Sequence, residues 1–359
     1  MKFVHIADVH LDRPFVNLSD KDSLGDIKRL EQRNIFKKVI EYIKENNIPY
    51  LFISGDLYEH EYIKRTTIEY INKLFSEIPE TKIYITPGNH DPYLKNSFYN
   101  KFIWNNNVKI FNSIFEKIEN KDVDIYGYGF DDFYCKDCNI ENLKIENKDK
   151  INILILHATL DGANAEEKQY NSISKKTLEE KGFDYVALGH IHKTNFNKGE
   201  RIVYPGSLTS LGFDELGDHG MIVGEITKEI FEIQKINIEQ SEFKEIKIDV
   251  SDILSNEELI EKINELDIRN NEYIKVILEG KRNFEINIYD LYKLIFNNRI
   301  IKIKDETKLS INLEELSNET TLKGLFIKEI LLKMNDKNIS EEEKEKLEKA
   351  VEIGLEALN

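Results

Sequence analysis

Short apolar runs that stop at polar, chemistry-bearing residues recur along the first two thirds of the chain. Residues 2–7 (KFVHIA) predict a buried strand running into Asp8-Val9-His10-Leu11-Asp12. Residues 50–54 (YLFIS) predict a second, leading into Gly55-Asp56. Residues 82–85 (KIYI) predict a third, leading into Thr86-Pro87-Gly88-Asn89-His90-Asp91-Pro92. Residues 151–156 (INILIL) end at His157, and residues 183–188 lead into Gly189-His190-Ile191-His192. Between these runs lie stretches of helical period. Residues 26–46 carry Leu30, Ile35, Phe36, Val39, Ile40 and Ile43 as one stripe, and further helices are expected at about 64–75 and 174–181. The reading is an α/β fold, in which ligands bind at the C-terminal ends of the strands because the loops converge there.

Weaker strands are expected around 108–111 and 123–128, and residues 221–226 with 230–236 resemble a closing β-hairpin. Residues 93–107 interleave Tyr93, Phe98, Tyr99, Phe102 and Trp104 with lysines. Such mixing suits stacking on nucleic acid, but the i, i+4 pair Phe98 and Phe102 favours an amphipathic helix packed on the sheet. From about residue 243 the character changes, and all eight histidines lie at or before His219. Ser255 with Glu258 forms a capping-box pattern, followed by a strand at 273–278 and a helix at 286–296. Two apolar helices close the chain, the second opened by Ser340 and Glu343. The expected organisation is residues 1–240, a small β-α-β unit at 241–312, and a helical segment at 313–359. A helical pair with this much apolar surface packs on its own domain or docks on a partner.

Composition narrows the picture. The chain has 359 residues, 40% of them hydrophobic, as in an ordinary folded protein. There is no basic leader with an apolar core, and no apolar run approaches the roughly 20 residues of a membrane span. The expectation is a soluble, cytoplasmic protein. Net charge is −16, with −8 from residues 241–359 and −8 from residues 1–240. Neither part is a basic arm, so a polyanion would have to be held locally, by metal ions or by a partner. Cys135 and Cys138 form a single C-x-x-C. With no second pair to complete a zinc site, the plain reading is two thiols in a reducing compartment.

Taken together, the strand ends deliver Asp8 and His10, Asp56, Asn89 with His90, His157, and His190 with His192. Asp8 and His10 share a side if that segment is extended, since side chains alternate with period two. Even with one of these eight set aside, seven donors exceed one tetrahedral zinc, and a mixture of imidazole, carboxylate and amide suits octahedral first-row metals. Two metals bridged by one carboxylate account for all seven. Such a pair clamps a phosphoryl group and activates water, so the chemistry expected is phosphate-ester hydrolysis.

The set Asp8-x-His10, Gly55-Asp56, Gly88-Asn89-His90-Asp91, His157 and Gly189-His190-x-His192 resembles the calcineurin-like metallophosphoesterase superfamily over residues 1 to about 235. The stretch Ala7 to Phe15, the Tyr204-Pro205-Gly206-Ser207 turn and the downstream β-α-β unit are similar to the DNA-repair exonucleases of SbcD and YhaO type. The resemblance implies a four-layer αββα sandwich with a small β-α-β cap and C-terminal helices. It implies one metal on Asp8, His10, Asp56 and His192, and a second on Asp56 (bridging), Asn89, His157 and His190, with manganese as the working ion. His90 would stand beside the phosphate, and Asp91 would orient it. It further implies DNA as substrate, an SMC-like coiled-coil ATPase bound through the C-terminal helices, and a homodimer. Phosphodiesterase or phosphatase action on small nucleotides or phosphoproteins is the alternative. One departure stands out: related archaeal and eukaryotic nucleases carry histidine three residues after the bridging aspartate, where this chain has Glu59 beside His60. That position bears on the balance of exonuclease and endonuclease action.

Overall fold

A computed structural model describes residues 1–15, 18, 24–135, 138–161, 170–238, 241–309, 313–336 and 339–358. Contacts divide the chain into two compact units, Met1–Lys244 with Asn271–Tyr273, and Glu245–Asn270 with Ile274–Asn359. The sequence-based boundary residues 240 and 312 lie outside the described residues.

In chain order the strands of the first unit are β1 (Lys2–Ile6), β2 (Tyr50–Ile53), β3 (Lys82–Ile85), β4 (Val108–Ile110), β5 (Glu116–Glu119), β6 (Val123–Tyr128), β7 (Ile151–His157), β8 (Thr159–Leu160), β9 (Ser172–Ile173), β10 (Tyr185–Gly189), β11 (Ile202–Val203), β12 (Gly220–Ile226) and β13 (Phe231–Asn237). They build a six-stranded sheet ordered β13-β12-β1-β2-β3-β4 and a five-stranded sheet ordered β11-β10-β7-β6-β5, with β8 and β9 as a small separate pair. The pairs β1–β2, β2–β3, β6–β7 and β7–β10 are parallel, so their loops leave at common ends.

Alternation along each strand sorts side chains into layers. Phe3, Phe52 and Tyr84 of the first sheet meet Ile153, Ile155, Tyr185 and Ala187 of the second in one core. Their neighbours Val4, Ile6, Leu51, Ile53, Ile83 and Ile85 face the other way, into a core shared with helices Leu24–Glu45 and Arg65–Ser76. On the far side, Leu154, Leu156, Val186 and Leu188 pack with Leu178 of helix Lys175–Lys181. The order helix, sheet, sheet, helix is the four-layer sandwich.

Two details depart from the sequence reading. Leu30 is 57% exposed, and the buried stripe of its helix instead includes Lys28 and Gln32. Gln32 is accommodated there by donating to the carbonyls of Val9 and His10, polar atoms that an apolar stripe ignores. The aromatic stretch at 93–107 makes only a single helical turn, Phe98–Lys101. Its Tyr93, Phe98, Phe102 and Trp104 nonetheless pack, partly buried, against the core that the first sheet shares with its helices.

The second unit contains β14 (Glu242–Asp249), β15 (Glu272–Glu279), β16 (Lys281–Arg282), β17 (Ile300–Asp305) and β18 (Lys308–Leu309), the first three residues of β14 and the first two of β15 being grouped with the first unit. Strands β14, β15 and β17 form one sheet. Ile248, Leu259, Ile263, Ile274, Val276, Leu291 and Ile300 join this sheet to helices Asn256–Asn264 and Ile288–Leu294. Ser255 caps its helix by accepting from Glu258 N, but the Glu258 carboxylate reaches Leu254 N rather than Ser255 N, so the box is half formed. Ser340 and Glu343 form the full reciprocal box of helix Glu341–Ala357. That helix packs against Leu322–Met334 through Val351, Leu355, Ile327 and Ile330. No helix among the described residues is long and apolar enough to cross a membrane.

Candidate metal centre

The C-terminal ends of β1, β2 and β3 from one sheet and of β7 and β10 from the other meet along one edge, and the candidate ligands named from sequence, with His90 and Asp91, lie there. Asp8, His10 and His157 are fully buried and Asp56 almost so. The Asp8–His10 segment is not extended: φ is 51° at Asp8, 50° at His10 and 53° at Asp56. Left-handed backbone at non-glycine residues costs energy and collects at functional sites. Hydrogen bonds hold it, from Asp8 N to Gly55 O (3.1 Å) and from His10 N to Asp56 O (2.9 Å). Two glycines admit this packing. A Cβ on Gly55 (φ 89°) would fall 2.2 Å from Nδ1 of His157, and one on Gly88 would fall 2.3 Å from Oδ1 of Asp56.

Two groups of acceptors converge on Asp56. In the first, Nε2 of His10 lies 3.1 Å from Nε2 of His192, with Asp8 Oδ1 4.0 Å from the latter and Asp56 Oδ2 3.7 Å from the former. Each ring presents its Nδ1 to a carboxylate, His10 to Glu59 (2.9 Å) and His192 to Glu215 (2.5 Å). A carboxylate can only accept, so the Nδ1 atoms carry the protons and both Nε2 atoms aim lone pairs at each other. In the second group, Nδ1 of His157 donates to the Ser54 carbonyl (2.9 Å), and Nε2 faces Asn89 Oδ1 (3.0 Å) and Asp56 Oδ2 (3.3 Å). Asn89 Oδ1 also lies 3.2 Å from Nδ1 of His190. Clustered lone pairs repel unless a cation or an extra proton sits among them, so the donor set fits divalent ions. Asp8, His10 and His192, then His10, Asp56 and His90, then Asp8, Asp56 and His157, can each offer ligand atoms within 4.8 Å of one another.

Titration follows the same crowding. Burial alone would raise the Asp56 carboxyl, but His157, His10 and His90 outweigh it and hold it well below the usual range. Burial likewise opposes charging His157, yet Asp56 and Asp8 raise its pKa to about 9. His190 is pushed down to about 3 by burial and by the neighbouring His157 charge, which keeps it neutral and able to ligate.

His90 is the most exposed of these histidines, with its side chain 42% exposed. Its ring is not oriented by Asp91, contrary to the sequence-based expectation. The buried Asp91 carboxylate instead accepts from Gly88 N (2.7 Å), Asp56 N (3.1 Å), Leu57 N (2.7 Å) and Tyr99 Oη (2.6 Å), tying the second and third loops together. Glu59 takes Nδ1 of His90 (2.8 Å), using the oxygen that His10 leaves free. Glu59 is only 8% exposed, so it is not a solvated loop residue. Its carboxyl is lowered to about 2, because the hydrogen bonds and charges of His10 and His90 outweigh burial. Glu215, also lowered to about 2 against burial by His192 and by donors at Ser207 and Leu211, was missed in sequence. A lone glutamate 23 residues beyond its histidine carries no local signal. Position three after Asp56 was visible for Glu59, but its two partners were not.

The profile of the calcineurin-like phosphoesterase family matches residues 1–194. The uncharacterized metallophosphoesterase YhaO of Bacillus subtilis (strain 168) is 26% identical over 239 residues, 63% of this chain and 58% of the relative, so the match spans less than two thirds of that protein. The crystal structure of TT1561 of Thermus thermophilus superposes with a TM-score of 0.37 at 12% identity, covering 66% of this chain and 98% of the other. With its profile match over half the chain and the donor set described above, the chain belongs to the calcineurin-like phosphoesterase family, metal-dependent hydrolases of phosphoester bonds.

Proposed function

We propose that this chain is a two-metal DNA nuclease of the SbcD and YhaO type, working in DNA repair. The observation that carries the reading is the pair of lone-pair clusters sharing Asp56, with His90 held beside them by Glu59. Asp8, His10, Asp56 and His192 would hold one divalent ion, and Asp56, Asn89, His157 and His190 the other, manganese being the ion the resemblance favours. Bound there, the ions supply charge neutralisation to a phosphoryl group and make water more acidic.

His90 supplies the proton. Burial lowers its pKa, but the Glu59 hydrogen bond and the charges of Asp56 and Glu59 outweigh this and raise it to about 9. With Nδ1 bound to Glu59, Nε2 is the atom from which the ring protonates the departing oxygen. Glu59 keeps the ring aimed, and its negative charge favours return of a proton from water to Nε2 after the transfer. Asp91 acts through the backbone of the two loops and touches no reacting atom.

DNA as substrate rests on the resemblance of the Ala7 to Phe15 stretch, the Tyr204 to Ser207 turn and the β-α-β unit after residue 241 to DNA-repair exonucleases. The cut leaves a phosphomonoester and a hydroxyl, with exonuclease action on ends and endonuclease action in a proportion set around Glu59. Helix Leu322–Met334 exposes Leu322 (68%), Leu325 (59%) and Leu332 (63%), and such apolar surface suits a coiled-coil ATPase of SMC type. Purified chain with manganese should degrade linear duplex DNA, and His90→Ala should abolish cleavage while two ions still bind. Cleavage of small cyclic nucleotides far faster than DNA would replace this reading with the phosphodiesterase one.

A further inference from the structure

A row of aromatic rings leaves the metal centre. His190 packs on His157 (ring centroids 5.1 Å apart), Tyr170 on His190 (5.2 Å), and Tyr134 on Tyr170 (5.5 Å). The preceding residue, Phe133, packs on His60 at 5.7 Å, and the His60 main-chain N–H donates to the His90 carbonyl (2.9 Å). Residues 133 and 134 are therefore linked, through His60 and through Tyr170, to the His90 loop on one side and to His190 on the other. Both rings stand out, Phe133 43% and Tyr134 50% exposed, although rings of this size are normally covered. The pairs Phe133–His60 and Tyr134–Tyr170 are near perpendicular, at 74° and 67°, the edge of one ring meeting the face of the other.

The charges beside these rings decide what can lie on them. Asp131 and Asp132 precede the pair; the first accepts from Ser113 Oγ (2.7 Å) and the second from Phe133 N (2.7 Å), and both are exposed. Two carboxylates repel a phosphate chain approaching this stretch, but they do not repel a neutral aromatic heterocycle. A phosphorylated serine or threonine has nothing flat to place there.

We propose that Phe133, Tyr134 and Tyr170 form a stacking surface for the nucleobase next to the scissile phosphate. The surface accepts bases that are already unstacked, as at a single-stranded or frayed end. It rests on the nuclease reading for the position of the scissile phosphate. Base-on-ring stacking is tolerant of sequence and worth one to two orders of magnitude in affinity per base, on the order of 1–3 kcal/mol. Phe133 and Tyr134 are then specificity-determining residues that the strand-end motifs do not contain.

The test compares binding of a labelled deoxythymidine oligomer with an abasic oligomer of equal length, in the His90→Ala chain with manganese, read by fluorescence anisotropy. The thymidine oligomer should bind at least ten-fold tighter. Tyr134→Ala and Phe133→Ala should each remove about ten-fold of that preference, while Tyr134→Phe keeps it. Equal affinity for the two oligomers, or an intact preference in both alanine variants, overturns the proposal. A base preference in a chain whose unmutated form leaves DNA uncut would uphold the stacking surface and sink the nuclease reading. DNA cutting with no base preference would do the reverse.

Discussion

The Glu59 carboxylate holds two histidines at once, with Oε1 2.9 Å from Nδ1 of His10 and Oε2 2.8 Å from Nδ1 of His90. One ring, His10, is buried among the candidate ligands and the other, His90, is partly exposed, so a single side chain orients both. Glutamine can accept from one ring but opposes the second with its amide protons. Glu59→Gln should therefore lower turnover by roughly 10–100-fold, the range for losing a partner behind a ligand or a catalytic ring. Calorimetric titration with manganese should show weaker binding in the same variant. Unchanged turnover together with unchanged metal affinity would reduce Glu59 to a bystander.

Asp91 makes a separate prediction, because it works on the fold. Its carboxyl is raised to about 6 by burial and by the Asp56 charge, in spite of its four donors. Asp91→Ala strands three main-chain N–H groups and the Tyr99 hydroxyl in a buried place. Unpaired buried donors cost about 1–3 kcal/mol each, so unfolding in urea should show a loss of about 3 kcal/mol or more. If Asp91→Ala instead kept full stability and lost only turnover, a chemical role for Asp91 would return.

His5 sets an acid limit on stability. It is buried between the sheets, with Nδ1 2.9 Å from Tyr185 Oη and Nε2 3.0 Å from Ser54 Oγ. Burial lowers its pKa from 6.5 to about 3. Between those values the unfolded chain binds a proton that the folded chain refuses, so stability falls as pH drops through 6.5. From pH 7 to pH 5 the cost is about 2 kcal/mol, at 1.36 kcal/mol per pKa unit. His5→Gln should flatten that slope by about this amount in urea titrations at the two pH values, with chelator present in both.

Metal removal should be visible without any substrate. Ions that bind only the folded chain stabilise it by about 2.7 kcal/mol at a hundred times their dissociation constant. Adding a chelator should lower the melting temperature, and manganese should restore it. Asp56→Asn should blunt this response most, since both lone-pair groups reach Asp56. A melting temperature indifferent to chelator and manganese would argue against ion binding at these groups.

Much of this chain is legible before folding because its signals are local. An apolar run of four to six residues, a turn, and a histidine or aspartate after it are decided by neighbours in sequence, which is why Asp8, His10, Asp56, Asn89, His90, His157, His190 and His192 could be collected from strand ends. The strand alternation that places Phe52 in one core and Ile53 in another is equally local, as is the reciprocal cap of Ser340 and Glu343.

Tertiary structure alone decided how those residues are held. The left-handed turns at Asp8, His10 and Asp56 replace the extended segment that period-two reasoning supplies, because crossing loops rather than a sheet ladder set their backbone. Glu59 rather than Asp91 became the partner of His90, and Glu215 the partner of His192, through hydrogen bonds spanning 31 and 23 residues. A bond of that reach depends on where two loops travel in space, and no spacing along the chain encodes it. The identities of the candidate ligand residues were therefore sequence-determined, and the protonation and aim of their side chains were not.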